Sequence, residues 1–125
     1  MADQEESRQA LRPAAGAMLL TTLAEEMARL KKSPEWQSGD RHAVSLVKNG
    51  PLNLLLIALK KGARLSEHHT RGPIALQVLA GKIEFDAAGQ RVAAKVGSLL
   101  ALDRDVAHSV EAVAESIALL TTAIG

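Results

Sequence analysis

The residues with the most chemical reach in this chain are histidines. His68 and His69 are adjacent, just ahead of a Gly72-Pro73 turn, and His108 lies well downstream. A neutral imidazole can accept a hydrogen bond, take a proton or ligate a metal, so a group of three is the first place to look for a site. Other chemistries find little support. The chain has no cysteine, which removes thiolate ligands and disulfides. It has no Gly-x-Ser-x-Gly elbow and no glycine-rich phosphate loop ending in lysine. Ser66, Glu67 and His68 are consecutive, and consecutive residues cannot form a relay of the serine-hydrolase kind.

The elements that must hold these histidines belong to one modest domain of 125 residues. Apolar residues make up 47%, too many for a disordered chain. The core must be aliphatic, because Trp36 and Phe85 are the only aromatics. A net charge of +1, with no strong basic patch and no tyrosine, argues against nucleic acid as a partner. No apolar run is long enough for a membrane helix. The start of the chain is acidic at Asp3, Glu5 and Glu6, unlike a secretory signal, so a soluble cytoplasmic protein is expected.

Along the chain, residues 1–15 read as a flexible polar tail and residues 16–40 as a helix with its connector. Leu20, Leu23, Met27 and Leu30 recur at helical spacing between Ala17 and Lys32, and Pro34 ends the helix. Trp36, in the connector over Ser33 to Asp40, is expected to plug one edge of the core. From residue 41 to 125 the pattern changes to short strand-like runs separated by turns about every ten residues, the mark of an all-β sandwich or barrel. Leu52 to Lys60 is apolar on both faces, which predicts a central strand covered on both sides or a seam with a second subunit. Ile74, Leu76 and Val78 are expected to face the interior, which turns Gln77 outward. Glu67 is expected to be solvated, Glu84, Arg91 and Glu111 to alternate on a solvent face, and His42 to lie exposed or near a dimer seam.

Two further segments carry a resemblance. Gly62 precedes His68 by a short strand-like run, and that segment closes at Gly81. Gly97-Ser98-Leu99-Leu100-Ala101-Leu102 leads through Asp103-Arg104-Asp105 to His108. The pair of segments resembles the two signature motifs of the cupin superfamily. The resemblance implies an all-β cupin jelly-roll, a double-stranded β-helix barrel, here preceded by one N-terminal α-helix. It also implies that His68 and His108 stand where cupin metal ligands usually stand. The family's second histidine falls at Thr70 and its glutamate at Ile74, while the proline and glycine of its second turn are Asp103 and Asp105. A metal set would therefore need His69 as a third ligand beside His68 and His108, for zinc, nickel, iron or manganese. Successive strand residues point to opposite faces, so His69 can join His68 only where the backbone is irregular. Asp103 or Asp105 could orient the His108 ring.

Two functions of different class follow. One is a binding module for a small-molecule ligand, with a pocket lined by Leu54, Leu56, Thr70, Ile74, Leu76 and Phe85 beside His68 and His108. The other is a metal-dependent enzyme, isomerase or dioxygenase-like, acting on a small polar substrate through the three histidines. A purely structural dimer is a third, weaker reading. Resemblance to cupins of this size and the doubly apolar run both lead to the expectation of a homodimer.

Overall fold

The computed structural model describes residues 18–124. The expected tail and the start of the expected helix fall on residues 1–17, outside the described residues. Helix α1 spans Leu23–Lys31, a shorter element than the helical period predicts. Thr22 caps it: its hydroxyl accepts the amide of Glu25 and donates to the Glu25 carboxylate at 2.9 Å. This threonine cap fixes the start of the helix after Leu20. Leu20 is consequently not on the helical stripe and is exposed, whereas Leu30 is buried. The expected connector contains a second, short helix, α2 (Pro34–Ser38), with Ser33 as its cap and Pro34 in its first turn. Trp36 is buried there, with the Lys60 ammonium over its ring at 4.5 Å.

Among the described residues nine strands follow: β1 (Arg41–Asn49), β2 (Leu52–Leu59), β3 (Arg64–His68), β4 (Ile74–Ala80), β5 (Lys82–Ala87), β6 (Gln90–Lys95), β7 (Leu99–Leu102), β8 (His108–Ala112) and β9 (Ser116–Ala123). They form two antiparallel sheets, ordered β1-β2-β9-β4-β7 and β3-β8-β5-β6. The inner faces of the two sheets enclose the main core, which includes Leu59, Leu76, Val78, Ile83, Phe85 and Val110. A second cluster lies on the outer face of the larger sheet. There α1 and α2 bring Leu30 and Trp36 onto Leu46, Leu56, Ala58 and Ile117.

The second cluster explains the doubly apolar run. Leu54, Leu56 and Ala58 point to the helices, and Ile57 and Leu59 point into the barrel. The chain's own helices cover the second face of β2, so the run needs no second subunit to keep it dry. β4 has the expected phase, with Ile74, Leu76 and Val78 buried and Gln77 exposed. Among the described residues, no helix is long and apolar enough to cross a membrane.

The turn between β4 and β5 admits only glycine at Gly81. Its φ is +82°, and a Cβ there would collide with the Glu115 carbonyl and the Ser116 hydroxyl. Gly89 has φ +75° but open space around it. Gly81→Ala should therefore cost about 2–4 kcal/mol, combining backbone strain with a clash, and Gly89→Ala only about 1–2 kcal/mol. Urea unfolding midpoints check this, and equal losses would contradict the packing argument.

Candidate functional site

The site begins with an irregularity in β3. Leu65 pairs with Val110 and His68 with His108, so three steps along β3 match two along β8. The extra residue is a β-bulge, and it reverses the side-chain phase between Leu65 and His68. Without it, His68 would share the outward face of Ser66. With it, Leu65 and His68 both line the cavity, opposite Val110 and His108, with His68 exposed at its mouth. The sequence reading looked for an irregular backbone after His68, to recruit His69. The structure puts it before His68, and recruits His68 itself.

The two rings meet edge to face with centroids 4.3 Å apart. Phe85, on the neighbouring strand β5, stacks on His108 at 5.5 Å and 11°. The turns that carry the histidines are fastened to each other. The Asp105 amide donates to the Thr70 carbonyl at 2.8 Å, and the Thr70 hydroxyl donates to the Gly72 carbonyl at 2.9 Å. Asp105 takes φ +60°, a left-handed conformation that aspartate tolerates better than most residues.

Both histidines have their protons placed by backbone carbonyls. His68 Nδ1 lies 3.0 Å from the Ser66 carbonyl and His108 Nδ1 lies 2.9 Å from the Val106 carbonyl. A carbonyl only accepts, so in each neutral ring Nδ1 carries the hydrogen and Nε2 keeps its lone pair. The pair thus offers two acceptors and no free donor. Nothing beside it is an activated nucleophile. The Ser116 hydroxyl lines the same cavity, but its one hydrogen is shared between the Lys82 and Ala114 carbonyls and its oxygen accepts the Lys82 amide.

Around the pair lies a cavity of about 50 Å3, lined by thirteen residues. Ten of them are apolar, among them Ile57, Leu59, Ile74, Leu76, Ile83, Phe85 and Val110; His68, His108 and Ser116 are the rest. Ile74, Leu76 and Phe85 are where the sequence reading put them. Leu54 and Leu56 are not: they lie under the helices, one residue out of phase. Thr70 is also absent from the lining, its hydroxyl being engaged with Gly72. The additional walls come from Ile57 and Leu59 of β2, Ile83 of β5, Val110 of β8, and Ala118 and Leu120 of β9. Alternation along β8 inward from His108 would have found Val110.

The residues present do not fit a metal centre of the kind the histidines first suggest. His69 follows the end of β3, is exposed, and does not line the cavity. Ile74 places a hydrocarbon wall where the resemblance called for a carboxylate. Among the described residues, no group of three histidine or carboxylate side chains converges. Two imidazoles alone fall short of the three protein ligands that a catalytic ion needs. Neither Asp103 nor Asp105 forms a hydrogen bond or ion pair with the His108 ring, whose Nδ1 is oriented by Val106 instead.

A wider cleft adjoins the cavity and shares Ile57, Leu65, His68 and Leu120 with it. Arg41, His42 and Ala43 of β1 form one side, and Leu65, Ser66 and His68 of β3 the other. Its volume is about 440 Å3. The gap between the edges of the two sheets is therefore the way in to the histidines.

His108 is only 4% exposed. Burial pushes its pKa below the ordinary histidine value, and the nearby His68 and His69 push the same way, against the opposing Val106 hydrogen bond. In the unfolded chain the ring regains the ordinary value of about 6.5. Below that pH the unfolded state binds more protons than the folded one, so stability falls as pH drops through the folded pKa and is intact above about 6.5. The wild type should lose more stability than His108→Gln between pH 7.5 and 5.0, read as urea midpoints. Parallel slopes would contradict a buried neutral ring. Asp105→Gly should raise stability by about 0.5–1 kcal/mol by relieving the left-handed strain; a loss would show that the aspartate side chain holds the turn.

No family model and no curated protein matches the sequence. Solved structures do match the fold. A cupin superfamily protein from Desulfitobacterium hafniense aligns with a TM-score of 0.70 at 17% identity, over 79% of this chain and 88% of that one. An RmlC-like cupin from Shewanella frigidimarina gives 0.66 at 21% identity, over 70% and 78%. An RmlC-like cupin with a double-stranded β-helix fold from Methanocaldococcus jannaschii gives 0.62 at 16% identity, over 67% and 80%. Two facing antiparallel sheets, a largely aliphatic interior and these neighbours agree: the chain has the cupin fold.

Proposed function

We propose that the barrel is a binding module for a small, largely apolar molecule that carries a hydroxyl or N–H group at the end reaching His68 and His108. The carrying observation is the composition of the cavity wall. Ten of thirteen lining residues are apolar, and the two polar side chains that keep a free polar atom after bonding to neighbouring backbone are imidazoles presenting Nε2 lone pairs. A ligand that brings a donor satisfies those acceptors, whereas one without a donor leaves them desolvated and unpaired. The inner cavity has room for only a few heavy atoms, so the rest of the ligand extends into the cleft between β1 and β3. Leu55, Ile57, Leu65 and Leu120 give that cleft an apolar floor, with Arg41 at its rim.

This reading asks for neither a metal nor a covalent step. It predicts discrimination by a single polar group. Titration with 1-butanol should shift the ring proton signals of His68 and His108 saturably in NMR spectra, and butane at matched activity should bind at least tenfold more weakly. His108→Phe should weaken 1-butanol binding by about tenfold or more, since it removes an acceptor while keeping an apolar ring. Ala118→Leu should block both compounds by filling the cavity. Unsaturable shifts, or equal affinity of wild type and His108→Phe for 1-butanol, would overturn the proposal.

A further inference from the structure

Six arginines occur among the described residues. Four are ion-paired: Arg29 with Glu26, Arg41 with Asp40, Arg64 with Glu111, and Arg91 with Glu84, Asp86 and Glu111. Arg71 and Arg104 have no carboxylate partner among the described residues, and these two line the same cleft. It lies apart from the barrel cavity and has a volume of about 460 Å3. Gly72, Ala123 and Ile124 complete its lining. We propose that the Arg71–Arg104 cleft is an oxyanion site, taking a carboxylate or phosphate group between the two guanidinium ions.

Three features support this. First, the charge is uncompensated where it is needed. Asp103 and Asp105 flank Arg104 in sequence, yet neither pairs with its guanidinium. The Asp103 carboxylate instead accepts the Arg104 amide at 2.7 Å, and the Asp105 amide is tied to Thr70. Second, the two arginines come from different turns held in a fixed relation. The Asp105 amide to Thr70 carbonyl bond joins those turns one residue away from each arginine, so the backbone that carries the two exposed arginine side chains is placed before a ligand arrives. Third, the floor is backbone. Gly72 is buried and packs so closely on the Ala123 carbonyl that a Cβ there would collide with it, so no side chain from this position enters the cleft. A planar guanidinium presents parallel N–H donors that match a carboxylate or phosphate edge, and two guanidinium groups lining one cleft favour a group with several oxygens.

The test uses full-length protein at constant ionic strength, with inorganic phosphate in one arm and succinate in the other. Both are followed by amide shifts in NMR spectra, with sodium chloride replacing the probe in the control. Saturable shifts at the amides of Arg71, Gly72 and Arg104 are expected. Tighter binding of phosphate marks a phosphorylated ligand and tighter binding of succinate a carboxylate. Arg71→Gln and Arg104→Gln should each weaken binding at least tenfold, and Arg64→Gln, on an arginine outside the cleft, should leave it unchanged. The proposal is overturned if neither probe gives saturable shifts, if chloride reproduces them, or if Arg64→Gln weakens binding as much as the cleft variants.

Discussion

One surplus residue in β3 governs the site. A regular strand would carry Leu65 inward and His68 outward. The bulge between them restores the inward phase at His68 and sets it directly across from His108. Once there, the pair is held from three sides. β8 supplies the cross-strand partner, Phe85 stacks on the His108 face, and the Asp105 to Thr70 bond keeps the two flanking turns together. The site is thus a product of backbone register. Side-chain chemistry alone does not assemble it.

The surroundings then decide what the pair can do. Imidazole is costly to charge in an aliphatic interior, and the walls of this one are leucine, isoleucine, valine and phenylalanine. His108 is accordingly held towards its neutral form. Two backbone carbonyls use up the ring N–H groups, so the polar surface left to a ligand is purely accepting. Ile74 removes the carboxylate that would have drawn a cation or stabilised an imidazolium. Leu30 and Trp36 cover the outer face of the larger sheet, and the barrel opens between β1 and β3, at the edge where His68 lies.

Much of this was legible in the sequence, and the limits have physical causes. Turn residues at regular spacing gave the all-β architecture, and paired glycine–histidine segments gave the barrel type. β4 could be phased because Gln77 is a lone polar residue in an apolar run, and polarity tells inside from outside. β2 carries no such marker. Leu52 to Leu59 is apolar on both faces because both are buried, one against the helices and one in the barrel, so Leu54 and Leu56 were assigned to the wrong side. The helix start was readable from Thr22-Leu23-Ala24-Glu25 as a capping box, a signal that the apolar period overrode at Leu20. The β3 bulge leaves no residue signature, because it is set by pairing with β8 rather than by local preference. That is why His69 looked eligible as a partner to His68, and Thr70 as a wall residue, when the backbone gives neither that role.

The account rests on His68, exposed at the mouth of the barrel, facing the buried His108, with both rings as Nδ1–H tautomers. An NMR measurement of imidazole carbon–proton contacts and long-range nitrogen couplings at pH 7.5 tests that directly. It should show a cross-peak between the ring protons of His68 and His108, with nitrogen shifts of a protonated Nδ1 and a bare Nε2 in both rings. Absence of the contact, or a protonated Nε2 on His108, would contradict the geometry from which the binding site is built.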